Sequence, residues 1–526
     1  MSVQPIKRRK SMQQTKTTLP RQQEIRDDSS APGTNQHERR WLALTILCLG
    51  SLMIVLDTTI VNVALPSIKA GLGFSQTSLA WVVNAYLLTF GGFLLLGGRL
   101  GDLFGQRRLF LAGITLFTLA SLACGLASTQ GFLITARGIQ GLGGAVVSAV
   151  ALSLIMNFFT EPADRAKAMG IYGFVSAGGG SIGVLLGGML TDLLNWHWIF
   201  LVNIPVGAAV FVLSLLVLPA TRSRAARGRL DIAGAITVTA SLVLAVYAIV
   251  NGNSTGWISG QTLGLLGGAV VLLALFLIIE TRVSSPLIPP GLFRSRNLAT
   301  ANIIGVLWTA AMFAWFFLSA LYLQLVLGYN PLQIGLAFLP ANLIMALFSL
   351  GLSARIVTRF GIRLPLTFGL LLAAIGLGLF VLAPLKGNFV VNVLPNMILL
   401  GVGAGIAFNP VLLAAMSDVA PEESGLASGV VNTAFMMGGA LGLAILASLA
   451  AYRTTSLLAS GTGPLAALNG GYHAAFLAGA LFATAAGILG AAFIRTRNMV
   501  DADKNETIAI SREGSQIAEP VWKIKS

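Results

Sequence analysis

The chain carries one acidic and one basic residue deep inside apolar stretches. Asp57 lies within the apolar stretch 42–64, and Arg137 is the one Lys or Arg deep within such a stretch, at 131–157. A charge at the centre of a membrane costs about 2.5–3.5 kcal/mol even on lenient insertion scales, so an idle one is unexpected. Burial raises the proton affinity of a carboxylate and a nearby cation lowers it. These residue types therefore indicate proton chemistry, with Asp57 as the proton carrier and Arg137 as the group that tunes it.

The positions of these residues along their stretches allow them to meet. At a rise of about 1.5 Å per helical residue, Asp57 lies about 10 Å, Arg137 about 9 Å and Asn84 about 8 Å from the same side of the membrane. Three polar groups share one depth in one half of the chain, so they could meet. A static Asp57–Arg137 pair that only fixes helix packing is the alternative.

Other chemistry has little support in the sequence. Cys48 and Cys124 both lie in apolar stretches, and the three histidines, His37, His197 and His473, are scattered. This pattern disfavours a disulfide framework or a zinc site. No phosphate-binding loop motif is present, so ATP is not expected to drive the protein, and no catalytic constellation appears in any apolar stretch. We expect neither an enzyme nor a cofactor, with a proton gradient as the energy source.

The elements that must position these residues are membrane-spanning helices. The chain of 526 residues is 55% hydrophobic and 10% charged, whereas soluble domains are about a quarter charged. Stretches of roughly 20 apolar residues match a bilayer core. We predict 14 spans, at 42–64, 79–98, 108–127, 131–157, 167–190, 198–218, 232–250, 261–280, 298–327, 332–354, 364–384, 389–415, 427–450 and 473–494.

The basic residues orient these spans. Most flank one membrane face, which we call the basic face, and the opposite face has only Lys69, Lys386 and Arg453. Because Lys and Arg are retained on the cytoplasmic side, both termini are predicted to be cytoplasmic in a multi-pass protein of the cell membrane. The net charge of +15 is then a topology signal, and no nucleic-acid partner is expected.

The chain contains an internal repeat. Residues 161–183 align with residues 420–442 at one offset, which pairs a proline and four glycines. Two parallel halves in one chain are typical of transporters. The predicted fold is all-α and integral to the membrane, with two six-helix bundles and two extra central helices. The predicted domains are a disordered basic tail at 1–40, a first bundle at 41–220, a linker with the extra helices at 221–297, a second bundle at 298–495 and a tail at 496–526.

A charged loop joins the second and third spans on the basic face. Its sequence is GGRLGDLFGQRRLF, at 97–110. An acid among the arginines favours charge pairing, since topology alone needs no acid, although topogenic charge alone is the alternative. We predict that this loop is a cytoplasmic gate formed by Gly98, Arg99, Asp102, Gly105, Arg107 and Arg108.

These motifs together resemble a known family. The loop at 97–110 and RGIQGLGGA at 137–145 resemble signatures of the major facilitator superfamily. LDTTIVNVALP (56–66), GSIGVLLGGML (180–190) and WHWIFLVNIPVG (196–207) resemble its 14-span drug:proton antiporter branch. The resemblance implies the major facilitator fold. Two positions depart from the branch: Val184 stands where its antiporter motif has proline, and His197 where its span-6 entry has arginine.

The ninth predicted span is rich in aromatic residues. Trp308 and Trp315 are seven residues apart and share a helix face. Aromatic faces attract organic cations, and Met312 would add adaptable surface. The alternative is bulk that faces lipid. The predicted substrate cavity comprises Asn84, Gln140, Trp308, Met312, Trp315 and Asn342. The glycines Gly179, Gly183, Gly187 and Gly188 are predicted to serve helix packing.

The sequence thus predicts a proton-coupled antiporter that exports amphipathic or cationic organic compounds. The alternatives are a lipid or metabolite transporter of the same fold and a membrane sensor that has lost transport. The expected partners are a small organic substrate, protons and the lipid bilayer, with no metal and a monomeric state.

Overall fold

The computed structural model describes residues 33–219, 231–283, 286–288, 290–348, 352–417, 419 and 424–494. The predictions for residues 1–32, for the first linker residues at 221–230 and for the tail at 496–526 lie outside these residues. Within the helices, a few side chains, that of Asp102 among them, are also outside the description.

The described regular structure is helical throughout. Besides a 3-10 turn at Pro290–Arg294 and a π turn at Phe389–Val393, there are 16 α-helices: α1 Gly33–Leu72, α2 Ala80–Phe104, α3 Gln106–Gly125, α4 Gln130–Phe158, α5 Pro162–Leu193, α6 Trp198–Leu201, α7 Asn203–Val217, α8 Ile232–Thr255, α9 Gly260–Arg282, α10 Arg296–Leu325, α11 Pro331–Leu347, α12 Ser353–Phe360, α13 Arg363–Phe380, α14 Leu394–Met416, α15 Ser424–Ala459 and α16 Pro464–Phe493.

The predicted number of spans is confirmed. Within the described residues, 13 helical segments are long and apolar enough to cross a membrane, with α6 and α7 forming one of them, and α11 is a shorter apolar helix. Together they match the 14 predicted stretches. The short α12 follows α11 on the basic face.

Two boundaries differ from the prediction for local reasons. Residues 33–40, predicted as disordered, begin α1, and Arg40 at its start forms an ion pair of 2.6 Å with Asp164 of α5. The last span begins at Pro464, nine residues before the predicted start at 473. Its first turns contain Asn469, whose amide donates to the Ala383 carbonyl, so a polar residue there is satisfied inside the protein. A hydropathy pattern does not register such a partner.

The repeat predicted from the sequence is visible in the packing. In the first half, α5 lies against α1, where Gly179 meets Leu52 and Gly187 meets Ile60. In the second half, α15 lies against α10, where Gly438 meets Val306. A Cβ on any of these glycines would come within 3 Å of its neighbour, so small residues permit the close approach in both halves.

The two halves contact each other along two seams. One seam is α2 against α15, and the other is α5 against α11. The extra helices α8 and α9 pack on each other, and α8 lies against α2 and α15. At that junction the Asn253 amide donates to the Ser448 carbonyl at 2.7 Å, and the Ser448 hydroxyl donates to the Ile249 carbonyl at 2.9 Å. The extra pair therefore covers the first seam from outside.

Candidate functional site

Asp57 and Arg137 lie in direct contact in the interior of the first half. Arg137 Nη1 donates to Asp57 Oδ2 at 2.6 Å, and the two side chains are 0% and 1% exposed. Asp57 is carried by α1 and Arg137 by α4, and these helices pack on each other. The equal depth predicted from the sequence therefore corresponds to an ion pair removed from solvent.

Three neutral polar residues complete the surroundings of the carboxylate. Gln140 Nε2 donates to Asp57 Oδ1 at 2.7 Å, while its Oε1 accepts from Arg137 Nη1 at 2.6 Å. Asn203 Nδ2 donates to Asp57 Oδ1 at 3.2 Å and to Ser121 Oγ at 2.9 Å. The Ser121 hydroxyl in turn donates to the Phe200 carbonyl at 2.9 Å. We call Asp57, Ser121, Arg137, Gln140 and Asn203 the carboxylate network.

Arg137 has partners besides the carboxylate. Its Nε donates to the Val82 carbonyl at 2.9 Å. Its guanidinium lies 4.4 Å from the centre of the Tyr86 ring and 5.7 Å from that of Phe200. Aromatic faces stabilise a cation, more so when it is desolvated. The arginine therefore keeps hydrogen bonds and ring contacts when Asp57 is neutral.

This arrangement can act as a switch. Ionised Asp57 accepts three hydrogen bonds and pairs with the guanidinium. Protonation removes the charge that holds the pair, while Arg137 remains held by Gln140, Val82 and the rings. Breaking one partner of a buried ion pair costs about 3–5 kcal/mol when the other is left alone. The additional contacts lower that cost for the arginine, so the pair can separate without leaving Arg137 unpartnered.

Asn84 does not join the network, contrary to the expectation from its depth. It is 0% exposed, and neither of its side-chain atoms has a hydrogen-bond partner among the described residues. Tyr86, two residues later, presents its ring to Arg137. Because residues two apart point to nearly opposite sides of a helix, Asn84 faces away from the pair. The depth of Asn84 in the membrane, which equals that of the pair, did not predict the direction in which its side chain points.

The predicted cavity residues do not all lie in one place. Gln140 belongs to the carboxylate network, whereas Trp308, Met312 and Trp315 lie on α10 and Asn342 lies on α11. Trp308 and Trp315 are 2% and 1% exposed, so the alternative that they face lipid is wrong. Trp315 packs on Phe316 and Phe338, with ring centres 4.3 and 5.8 Å apart.

Two polar atoms near this aromatic cluster have no partner. They are the Trp315 indole N–H and the Asn342 Nδ2 amide, both buried and without a hydrogen-bond partner in the described part of the chain. Asn342 lies one helical turn from Phe338, which contacts Trp315. Met312, one turn from Trp315, is partly buried. Unpaired buried donors cost about 1–3 kcal/mol each, which a ligand could recover.

The predicted gate loop comprises the end of α2, a tight turn at Gly105 and the start of α3. Gly105 has φ 91°, a conformation that favours glycine, and a Cβ on Gly98 would lie 3.9 Å from Ala149. Arg107 Nη2 donates to the Leu215 carbonyl of α7 at 2.5 Å. Arg99 and Arg108 are exposed, and the described side chains of this loop form no ion pair. The side chain of Asp102, on which the predicted charge pairing depends, lies outside the description.

The glycines predicted for packing lie at helix contacts. Gly179, Gly183 and Gly187 face α1, and Gly188 faces α11, where a Cβ would lie 2.7 Å from the Pro331 carbonyl oxygen. Val184, in place of the family's proline, is part of the uninterrupted α5.

His197 lies in the turn before α6. Its ring stacks on Trp196 with centres 3.7 Å apart, and burial lowers the pKa of the imidazole. Burial therefore favours the neutral form of His197, whereas the family's arginine at this position would carry a fixed positive charge.

Sequence reasoning missed Ser121, Asn203 and Tyr86. Ser121 and Asn203 are polar residues in apolar stretches, which is a signal, but Ser and Asn are too common to stand out from one sequence. Both free cysteines are buried, and no group of three or more His, Cys, Asp or Glu side chains suited to a metal ion occurs in the described residues.

Comparison with known proteins gives a consistent result. The sequence profile of the Major Facilitator Superfamily matches residues 47–443. The puromycin resistance protein pur8 of Streptomyces alboniger is 41% identical over 85% of this chain and 90% of that protein. The cephamycin export protein CmcT of Amycolatopsis lactamdurans is 36% identical over 88% of this chain and 95% of that protein. Among solved structures, an auto-inhibited POT family peptide transporter covers 87% of this chain and 98% of its own at a TM-score of 0.61 and 15% identity, which shows a shared fold.

Proposed function

Because the chain belongs to the major facilitator superfamily and to its drug-exporter branch, we propose that it is an antiporter that exports amphipathic or cationic organic compounds in exchange for protons. The chain is a membrane transporter and not an enzyme. The proton coupling and the substrate class are the proposal, and the observation that carries it is the buried Asp57–Arg137 pair with its neutral partners.

The carboxylate network supports a proton-binding step. The Asp57 side chain is 0% exposed, so the stability of an ionised carboxylate there depends on Arg137. A proton that arrives from outside would neutralise Asp57 and weaken the ion pair that joins α1 to α4. Release of that proton would restore the ion pair. Transport would follow because these helices belong to the bundle that moves against the second half.

The unpaired donors near Phe338 support a substrate site between the halves. Trp315 and Asn342 offer an indole N–H and an amide next to stacked aromatic rings. Asn84, on α2 of the first half, offers a donor and an acceptor without partners. Mostly apolar pockets with a few polar groups bind drug-sized ligands. A substrate with a flat apolar body and a few polar atoms fits this composition.

The basic face and the named relatives support the proposed direction of transport. The basic loops around Arg107 favour a cytoplasmic basic face with both termini inside the cell. The relatives named for resistance and export favour discharge of substrate on the opposite side. The relatives named for puromycin resistance and cephamycin export indicate antibiotics as a first substrate set. Puromycin is an amphipathic cation and cephamycins are acids, so the two distinguish a cation preference from a broader one.

The test uses inverted membrane vesicles that contain the protein, with a pH gradient acid inside. We expect puromycin to accumulate in the vesicles while the gradient lasts and to leave when a protonophore collapses it. Cephamycin should accumulate less, and vesicles without the protein are the control. If the protonophore did not change the accumulation of puromycin, proton coupling would be contradicted. Equal accumulation of both compounds would contradict the cation preference.

A further inference from the structure

A second pair of carboxyl groups lies buried on the basic face, away from the carboxylate network. Asp231 is the N-cap residue of α8, and Glu280 lies in the last turn of α9. Each residue is 4% exposed. The helices α8 and α9 pack on each other, and Asp231 acts on Glu280 as a charged and hydrogen-bonding neighbour.

The hydrogen bonds of this pair are half complete. Asp231 Oδ1 accepts from the Gly234 N–H at 2.7 Å, and Glu280 Oε2 accepts from the Ile288 N–H at 3.2 Å. The other two oxygens, Asp231 Oδ2 and Glu280 Oε1, are buried and have no donor among the described residues. The backbone thus satisfies one oxygen of each carboxyl and leaves one oxygen of each for the contact between them.

No positive charge in the described residues compensates the pair. Asp231 is the one charged group that acts on Glu280. The arginines of the packed elements, Arg282 on α9, Arg99 on α2 and Arg294 in the 3-10 turn, are exposed and form no ion pair. In α15, which packs on α8, the ionisable residues Tyr452 and Arg453 lie toward the far end of the helix. The side chain of Asp102 and residues 220–230 are outside the description.

We propose that Asp231 and Glu280 share one proton, which bridges Asp231 Oδ2 and Glu280 Oε1. Two carboxyl groups in contact in a buried site cannot both be ionised, and a single proton supplies the donor that both unpaired oxygens lack. This is a proton-binding site in the extra helix pair, separate from Asp57.

The site lies next to residues 286–288, which follow α9 in the sequence and pack on α2. We call these residues the connector. Leu287 is buried with Leu96 of α2 and Ala235 of α8, and Ile288 packs beside them. Because Glu280 Oε2 accepts from the Ile288 N–H, the position of Glu280 is coupled to the segment 286–288, which packs on the helix that leads into the loop at 97–110. Loss of the proton at alkaline cytoplasmic pH would place two negative charges in contact and loosen this connector.

Infrared spectroscopy of the whole protein in lipid tests the shared proton. The wild type at neutral pH should show the carbonyl stretch of a protonated carboxyl that is lost both in Glu280→Gln and in Asp231→Asn, since the remaining acid ionises against the new amide donor. Glu161→Gln, at an exposed acid on the same face, should leave that band intact.

Three results would overturn the proposal. Survival of the band in Asp231→Asn would mean that Glu280 holds a proton through burial alone. A band that appears in the wild type only after Na⁺, K⁺ or Ca²⁺ is removed would mean that a cation occupies the site. Absence of a protonated band in the wild type under all of these conditions would exclude a shared proton without any variant being needed.

Hydrogen exchange gives a second readout, which does not depend on transport. At alkaline pH the amides of Leu287 and Ile288 should exchange faster in the wild type than in Glu280→Gln, and at neutral pH they should exchange alike. Comparison at one pH cancels the intrinsic dependence of exchange on hydroxide. Equal exchange in the two proteins at both values would show that the connector does not respond to the pair.

Discussion

At the scale of single residues, the central feature is that one carboxylate receives all its stabilisation from within the protein. The identity and contact of Asp57 and Arg137 could be anticipated, because charges are costly at that depth and their depths agree. The roles of Ser121 and Asn203 could not, since they depend on which way each side chain points around its helix. That direction is set by packing and not by hydropathy.

Arg137→Ala tests whether the arginine governs proton release. The variant leaves a buried acid without its cation, and such an acid neutralises by keeping its proton. We expect transport to fall and the remaining activity to shift to more alkaline pH. Arg137→Lys should rescue partly, because lysine restores the charge without the planar fork that bonds Asp57, Gln140 and Val82 together.

The measurement is the rate of transport as a function of pH for the wild type and both variants. Because loss of a cation can only strengthen proton binding by Asp57, an acidic shift or an unchanged profile in Arg137→Ala would show that the arginine does not act on the carboxylate.

Trp315 separates substrate binding from coupling. Trp315→Phe keeps an aromatic ring against Phe338 but removes the unpaired indole N–H. We expect a rise in KM of about 5- to 150-fold for substrates that accept this hydrogen bond, equivalent to about 1–3 kcal/mol, and an unchanged number of protons per substrate. Trp315→Ala should alter preference among substrates more broadly. An equal loss for chemically different substrates, together with poor expression, would point to packing alone.

At the scale of helices, small residues determine where two helices can pack closely against each other. The spans themselves could be predicted because their apolar stretches of roughly 20 residues match the thickness of a bilayer core. The start of α16 could not, because Asn469 is satisfied by a carbonyl that is distant in sequence. The contact of α5 with α11 across the two halves is likewise not visible in the sequence.

Gly188→Ala tests the seam between α5 and α11. A Cβ there would lie 2.7 Å from the Pro331 carbonyl oxygen, a backbone atom that cannot rotate away. Overpacking costs about 1–3 kcal/mol, enough to shift the population of the state with this contact by about 5- to 150-fold. We expect slower transport and altered cysteine labelling on the two membrane faces. Gly178→Ala, on the same helix with nothing within 4 Å, is the matched control. The same behaviour in both variants would show that the seam does not limit transport.

At the scale of the whole molecule, two similar halves perform unequal tasks. The first half carries the buried ion pair, whereas the described spans of the second half place tryptophan and asparagine donors next to aromatic rings. In the proposed mechanism the first half binds the proton, and the substrate binds between the halves. Asn84, Trp315 and Asn342 are among the buried residues whose polar atoms have no partner in the described part of the chain, and such departures from full hydrogen bonding are expected at functional sites.

The most direct test of this account compares the wild type with Asp57→Asn in proteoliposomes that report substrate and internal pH together. The asparagine keeps the shape and can still accept a hydrogen bond from Arg137, so the protein should insert and fold as the wild type does. The account predicts that the wild type exchanges protons for substrate and concentrates it against a gradient. Asp57→Asn should move substrate only down its own gradient, without proton flux. If Asp57→Asn still concentrates substrate at the expense of the pH gradient, Asp57 is structural and the coupling proton binds elsewhere.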